Sequence, residues 1–174
     1  MSVFWLAQAI GLVGLGFSML AYQSKTRDLL LARQMTGAFT YMLHFGLLSA
    51  WTGVAMNGIV ALRNWVFVKK DTHAWARNEL WMWFFVALVG VSLYFTWQGA
   101  ISLLPAIAML LGIYSRWKGT AKEIRAYSLA GCLLWLPYDL SVRSYSGVLV
   151  DILVAGVIIF GMWRHDRPRA VDPV

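Results

Sequence analysis

Charge is what this chain has least of. Asp, Glu, Lys and Arg together make up 13% of its residues, against roughly 25% in an ordinary soluble domain, and only 8 residues are acidic. So little charge cannot clothe a surface for water, which excludes a soluble domain at the outset. Cysteine is scarcer still. Cys132 stands alone, so there is no intramolecular disulfide, and beside Ala130 and Gly131 it reads as a packing residue. His73 and His165 have no second histidine or cysteine at ligand spacing, so no metal site is expected. No serine or cysteine has a histidine base at a recognisable spacing, so neither an enzyme nor a cofactor is expected. Gly11, Gly14 and Gly16 follow no strand, and close helix packing explains them better than a phosphate loop.

Apolar residues fill the space that charge leaves: 60% of the chain is hydrophobic and its mean hydropathy is +0.63. Windows of about twenty apolar residues give seven spans, at 3–22, 30–49, 51–68, 79–97, 100–116, 124–142 and 146–163. The chain thus reads as an all-α polytopic membrane protein, one membrane domain over 1–174. Met1-Ser2-Val3-Phe4 lacks a basic leader, so the first span is expected to stay in place. Of 15 Lys and Arg residues, 14 fall in or beside alternate connections and after the last span, and only Arg143 lies on the other side. The positive-inside rule then puts the amino terminus outside and the carboxyl terminus in the cytoplasm. Basic cytoplasmic loops account for the net charge of +7 without nucleic acid, and membrane lipid is the expected surroundings.

A register of ninety-four residues runs through the chain. Trp51-Thr52-Gly53-Val54 followed by Asn57 matches Tyr145-Ser146-Gly147-Val148 followed by Asp151, and the same offset pairs Thr26 with Thr120, Gly37 with Gly131, Val60 with Val154 and Ala61 with Ala155. Two copies of a three-span unit in the same orientation need one extra span between them. The expected division is therefore a first repeat at 3–69, a bulky, lipid-facing inversion helix at 79–97, a second repeat at 100–164 and a cytoplasmic tail at 165–174.

Such a 3+1+3 plan resembles the sugar-transporting SWEET proteins, the PQ-loop carriers and the KDEL receptors. Tyr22-Gln23-Ser24-Lys25-Thr26-Arg27, then Tyr41-Met42-Leu43-His44-Phe45, Thr52-Gly53 to Asn57 and Ala61-Leu62-Arg63-Asn64 resemble the signature of the YgjV-type bacterial inner-membrane proteins, well over 8–68 and in outline beyond. The resemblance implies a multi-pass protein of the bacterial inner membrane and names no substrate. In SWEET-like proteins an asparagine pair contacts the solute, and the likeness carries that role to Asn57 and Asp151 alone.

Polar residues inside a bilayer are rare and mostly functional, and transporter sites lie near the midplane where repeats meet. Asn57 and Asp151 are thus the leading substrate-binding candidates, favouring a hydroxylated or cationic solute. Asp151, whose carboxylate form is penalised by desolvation, is also the proton-coupling candidate. His44 and its register partner Tyr138 join the candidate site. Asn64, seven residues after Asn57 and on nearly the same helical face, marks the inner end of a pathway, while Arg63 is expected to extend to the cytoplasmic surface. Asp139 and Arg143, four apart, are expected to form a structural ion pair. Pro105 and Pro137 are the expected hinges. The reading is a carrier of a small polar solute working by alternating access, with a non-transporting receptor or scaffold as the alternative. Self-association into a homo-oligomer is left open.

Overall fold

The computed structural model describes residues 2–22, 27–70, 72–118 and 121–165, so the tail expected at 165–174 falls almost wholly outside the described residues, as do Gln23 and Lys25. The described residues are all-α, with seven α-helices among them: α1 (Val3–Tyr22), α2 (Arg27–Leu47), α3 (Trp51–Lys69), α4 (Leu80–Phe95), α5 (Leu103–Lys118), α6 (Ala121–Ser141) and α7 (Tyr145–His165). Short 3-10 turns at Ala74–Arg77 and Ala100–Ser102 lead into α4 and α5. The helices overrun the apolar windows mostly at their charged ends, as at Arg27 and Lys118, because a helix continues past its apolar stretch until its backbone is capped.

Among the described residues three segments, Val3–Ala21, Ala100–Lys118 and Tyr145–Trp163, are long and apolar enough to cross a membrane. Among the others, α2, α3 and α6 are as long but carry Gln34, His44, Asn57, Arg63, Asn64 and Asp139 within them. Those groups are turned inward. His44, Arg63, Asn64 and Asp139 are all buried, whereas Leu43, Trp83, Tyr94, Phe95 and Leu133 are exposed. Water would enforce the opposite distribution.

Each helix packs on its neighbours in the chain, and α1 returns to pack against α7 while α3 packs on α5. The order is therefore a ring, α1-α2-α3-α5-α6-α7. Helix α4 lies outside it across α3 and α5. Its Met82, Phe85 and Val89 form a helical stripe in one cluster with Phe67 and Trp117.

One turn occurs twice. Both non-glycine residues of positive φ among the described ones, Ser49 (56°) and Arg143 (58°), are ninety-four positions apart. At the end of α2, Ala50 N donates to Phe45 O (2.9 Å) and Ser49 N to Gly46 O (3.1 Å). At the end of α6, Ser144 N donates to Asp139 O (2.8 Å) and Arg143 N to Leu140 O (3.3 Å). Both are Schellman caps, closing a helix through a residue in the left-handed region. This removes the expected Asp139–Arg143 ion pair. Helix α6 stops at Ser141, the four-residue spacing no longer lies on a helix, and Arg143 is exposed whereas Asp139 is buried. Arg143→Gly is expected to leave stability unchanged or raise it by up to about 1 kcal/mol, because glycine adopts this conformation without a Cβ penalty. Thermal unfolding of the purified protein checks it; a clear loss of stability would restore the ion pair.

The expected hinges differ as well. Pro105 sits in the first turn of α5, where proline removes no helical hydrogen bond. Pro137 lies inside α6, where it does.

Candidate functional site

The ring encloses a cavity of about 230 Å³ with walls from α1, α2, α3, α5, α6 and α7. Nine of its lining residues come from the first half: Ser18, Gln34, Gly37, Ala38, Tyr41, Phe45, Asn57, Val60 and Arg63. For eight of them the residue ninety-four positions on lines it too, namely Gly112, Ser128, Gly131, Cys132, Trp135, Asp139, Asp151 and Val154. The ninth, Arg63, pairs with Val157, which lines an adjoining cavity of about 390 Å³. The two cavities share Gln34, Arg116 and Ser128, so the space continues toward the ends of α3, α5 and α7 where the basic residues collect.

Asn57 and Asp151 both line the cavity, from α3 and α7. Asn57 Nδ2 donates to Gly53 O of its own helix (3.0 Å), which leaves Oδ1 for the cavity. Asp151 is 9% exposed, and its Oδ2 has no hydrogen-bond partner. The same is true of Oδ1 of Asp139, 2% exposed, and of the hydroxyl of Tyr41, 7% exposed, and both residues also line the cavity. Buried polar atoms are rarely left unpaired. Three of them lie at this one cavity.

At the basic end two guanidinium groups converge on Gly112: a Cβ there would lie 3.2 Å from a terminal nitrogen of both Arg63 and Arg116. Arg63 is buried and does not extend to the surface as expected. Asn64 Oδ1 accepts from its Nε (3.3 Å) and from a terminal nitrogen (3.2 Å). Asn64 itself is fully buried and donates to Gln34 Oε1 (3.4 Å). It stands behind the cavity wall and positions Arg63 and Gln34, rather than lining the path.

His44 and Tyr138 do not reach the cavity either. They belong to a seal at its other end. Gly53 N, an otherwise unpaired donor in the first turn of α3, donates to Tyr138 Oη (2.8 Å). Its counterpart Gly147 N donates to Ser144 Oγ (3.2 Å), which is 2.8 Å from His44 Nε2. A tyrosine reaches the opposite helix directly, whereas the shorter histidine needs a serine between. Gln8 completes the seal, accepting from Ser146 N (3.1 Å) and donating to Arg143 O (2.8 Å). All of these bonds except that of Gly147 to Ser144 join the first half of the chain to the second.

Proton counting links seal and cavity. His44 Nδ1 faces Ala7 O at 2.7 Å; a carbonyl only accepts, so Nδ1 carries a proton. Ser144 has a single proton, and both His44 Nε2 and the Asp139 carboxyl are its partners. Given to His44, that proton leaves Asp139 without it; given to Asp139, it requires His44 to donate from both nitrogens.

Sequence reasoning missed Tyr41, Trp135, Gln34 and the inward course of Arg63. The register held the signal for the first two, since Tyr41 and Trp135 lie four residues after the matched Gly37 and Gly131 and so on the same helix faces.

Comparison with known families agrees with the inverted surface. The Imp-YgjV family model, described as bacterial inner membrane protein, matches residues 5–169. The chain belongs to this family. No curated protein and no solved structure matches it. The family accounts for the apolar exterior and leaves the chemistry to the cavity.

Proposed function

We propose that the protein is a carrier of a small polar solute across the bacterial inner membrane, working by alternating access. The observation that carries this is the cavity: eight register-related pairs line it, hydrogen bonds seal it at one end, and it continues toward the other. The matched Schellman turns and paired lining residues support two parallel three-helix repeats, α1–α3 and α5–α7, joined by α4 as the inversion helix in a seven-span 3+1+3 plan. Helix α4 contributes no residue to the cavity, in keeping with a linker that faces lipid. Basic residues gather at the open end, so the positive-inside rule makes that end cytoplasmic, with the amino terminus outside and the carboxyl terminus inside.

Asn57 and Asp151 contact the solute, with Asp151 the group available for proton coupling. Opening the other end means separating Tyr138 from Gly53, His44 from Ser144, and Gln8 from Ser146 and Arg143. At a net ~0.5–1.5 kcal/mol each, these bonds hold the outward-open state to a minor population that a bound solute can raise. Pro137 gives α6 a place to bend as the repeats rock. A receptor of the same plan would keep the cavity and dispense with the second opening.

Cys132 lines the cavity and is the protein's one cysteine, so thiol chemistry reads access without engineering. In inside-out vesicles a membrane-impermeant maleimide is expected to label Cys132 readily, and in right-side-out vesicles slowly. A reporter fused after Val174 should be active in the cytoplasm. Equal labelling from both sides, or a periplasmic reporter, would overturn the orientation. Labelling fixed to one side under every solute tested would favour the receptor.

A further inference from the structure

We propose that the solute carries an ammonium group, bound at the sealed end of the cavity between the carboxyl groups of Asp139 and Asp151 and the rings of Tyr41, Phe45 and Trp135. This deepens the carrier reading and rests on it for the site, though binding can be tested without transport. Asp139 Oδ1 and Asp151 Oδ2 lack a hydrogen-bond partner, and among the described residues no Lys or Arg is paired with either carboxylate. The cavity's own cations are held elsewhere. Arg63 is engaged by Asn64 Oδ1 and by Met109 Sδ (3.7 Å), and Arg116 by Gly112 O (3.4 Å). A buried carboxyl group stays charged only against a counter-charge and otherwise holds a proton. Here the protein leaves that counter-charge to the ligand.

The aromatic surroundings suit the same group. Phe45 stacks on Trp135 with ring centroids 5.9 Å apart, and Tyr41 lies 6.0 Å from Phe45. These rings line the cavity with both aspartates. Faces of tryptophan, tyrosine and phenylalanine attract cations, most strongly in desolvated sites, and together form cages for methylated ammonium groups. About 230 Å³ corresponds to roughly eight water volumes at ~30 Å³ each, room for a solute on the order of eight non-hydrogen atoms. With arginines toward the open end, a zwitterion can place its anionic group there. Simple amines and zwitterions share the ammonium group and differ in what they gain from Arg63 and Arg116.

The test is equilibrium binding to the purified full chain in nanodiscs with three probes of nearly equal size: choline, glycine betaine, and 3,3-dimethylbutan-1-ol, the uncharged isostere of choline. Choline or betaine is expected to bind at least tenfold more tightly than the isostere. Asp151→Asn and Asp139→Asn should each remove most of that difference while leaving the melting temperature within a few degrees of the parent. Trp135→Leu should weaken both ammonium probes. Tighter binding of betaine than of choline, lost on Arg116→Gln, would mark a zwitterion site. Equal binding of choline and the isostere to the unmodified protein, no binding of either ammonium probe, or undiminished binding in a folded Asp151→Asn protein would overturn the proposal. Ammonium binding with Cys132 access fixed to one side would keep the site and remove the carrier. Alternating access with preference for uncharged solutes would do the reverse.

Discussion

A Gln8→Leu, Tyr138→Phe double variant is expected to raise labelling of Cys132 from the periplasmic side by about tenfold or more. In the sealed state these changes strand two buried donors, Ser146 N and Gly53 N, and the part-buried acceptor Arg143 O. An unpaired buried polar group costs ~1–3 kcal/mol, but when the seal parts the same groups meet water and the cost disappears. The substitutions therefore penalise the sealed state selectively. A shift of only about 1.4 kcal/mol moves the equilibrium tenfold. The measurement is the maleimide rate in right-side-out vesicles, with a melting curve to establish that the variant is folded. Unchanged labelling in folded protein would mean that these bonds do not form the outer gate.

Gly147→Ala is expected to destabilise the protein by about 1–3 kcal/mol, the usual cost of forcing a methyl group into a filled site, and Asp139→Ala is expected to suppress part of that loss, the contact with Ser144 Oγ keeping the rest. A Cβ on Gly147 would collide with Asp139 Oδ2 and Ser144 Oγ, so the aspartate and the absence of a side chain at 147 are two halves of one contact. Denaturant or thermal unfolding of the parent, both single variants and the double variant gives the coupling, expected at about 1 kcal/mol or more for residues in contact. Additive effects would rule the contact out. Gly53→Ala supplies the counterpart in the first half, where the Cβ would lie 2.7 Å from the ring of Phe45 and Phe45 is the register partner of Asp139.

That pairing of Phe45 with Asp139 separates what was legible from what was not. The ninety-four-residue register was visible in the sequence, and it runs through the Schellman turns at Ser49 and Arg143 and through the cavity wall. Asp139 and Arg143 were misread because helical spacing is informative only while the helix continues. The cap that ends α6 depends on a backbone conformation available to Ser and Arg alike, and neither residue advertises it. Arg63 and Asn64 were nearly interchanged for a related reason. Consecutive residues on a helix point about 100° apart, and only the packed neighbours decide which one meets the cavity.

The sequence by itself determined the solvent, the helices and the ninety-four-residue register. Scarce charge, long apolar runs and a fixed register are properties of composition and order, and they survive any packing. Only the tertiary structure decided that His44 and Tyr138 seal the cavity while Tyr41, Trp135, Asp139 and Asp151 line it. Burial and hydrogen-bond partnership arise when helices close into a ring, bringing residues about a hundred positions apart within 3 Å of each other, as His44 and Ser144 are, and chain order carries no record of that distance.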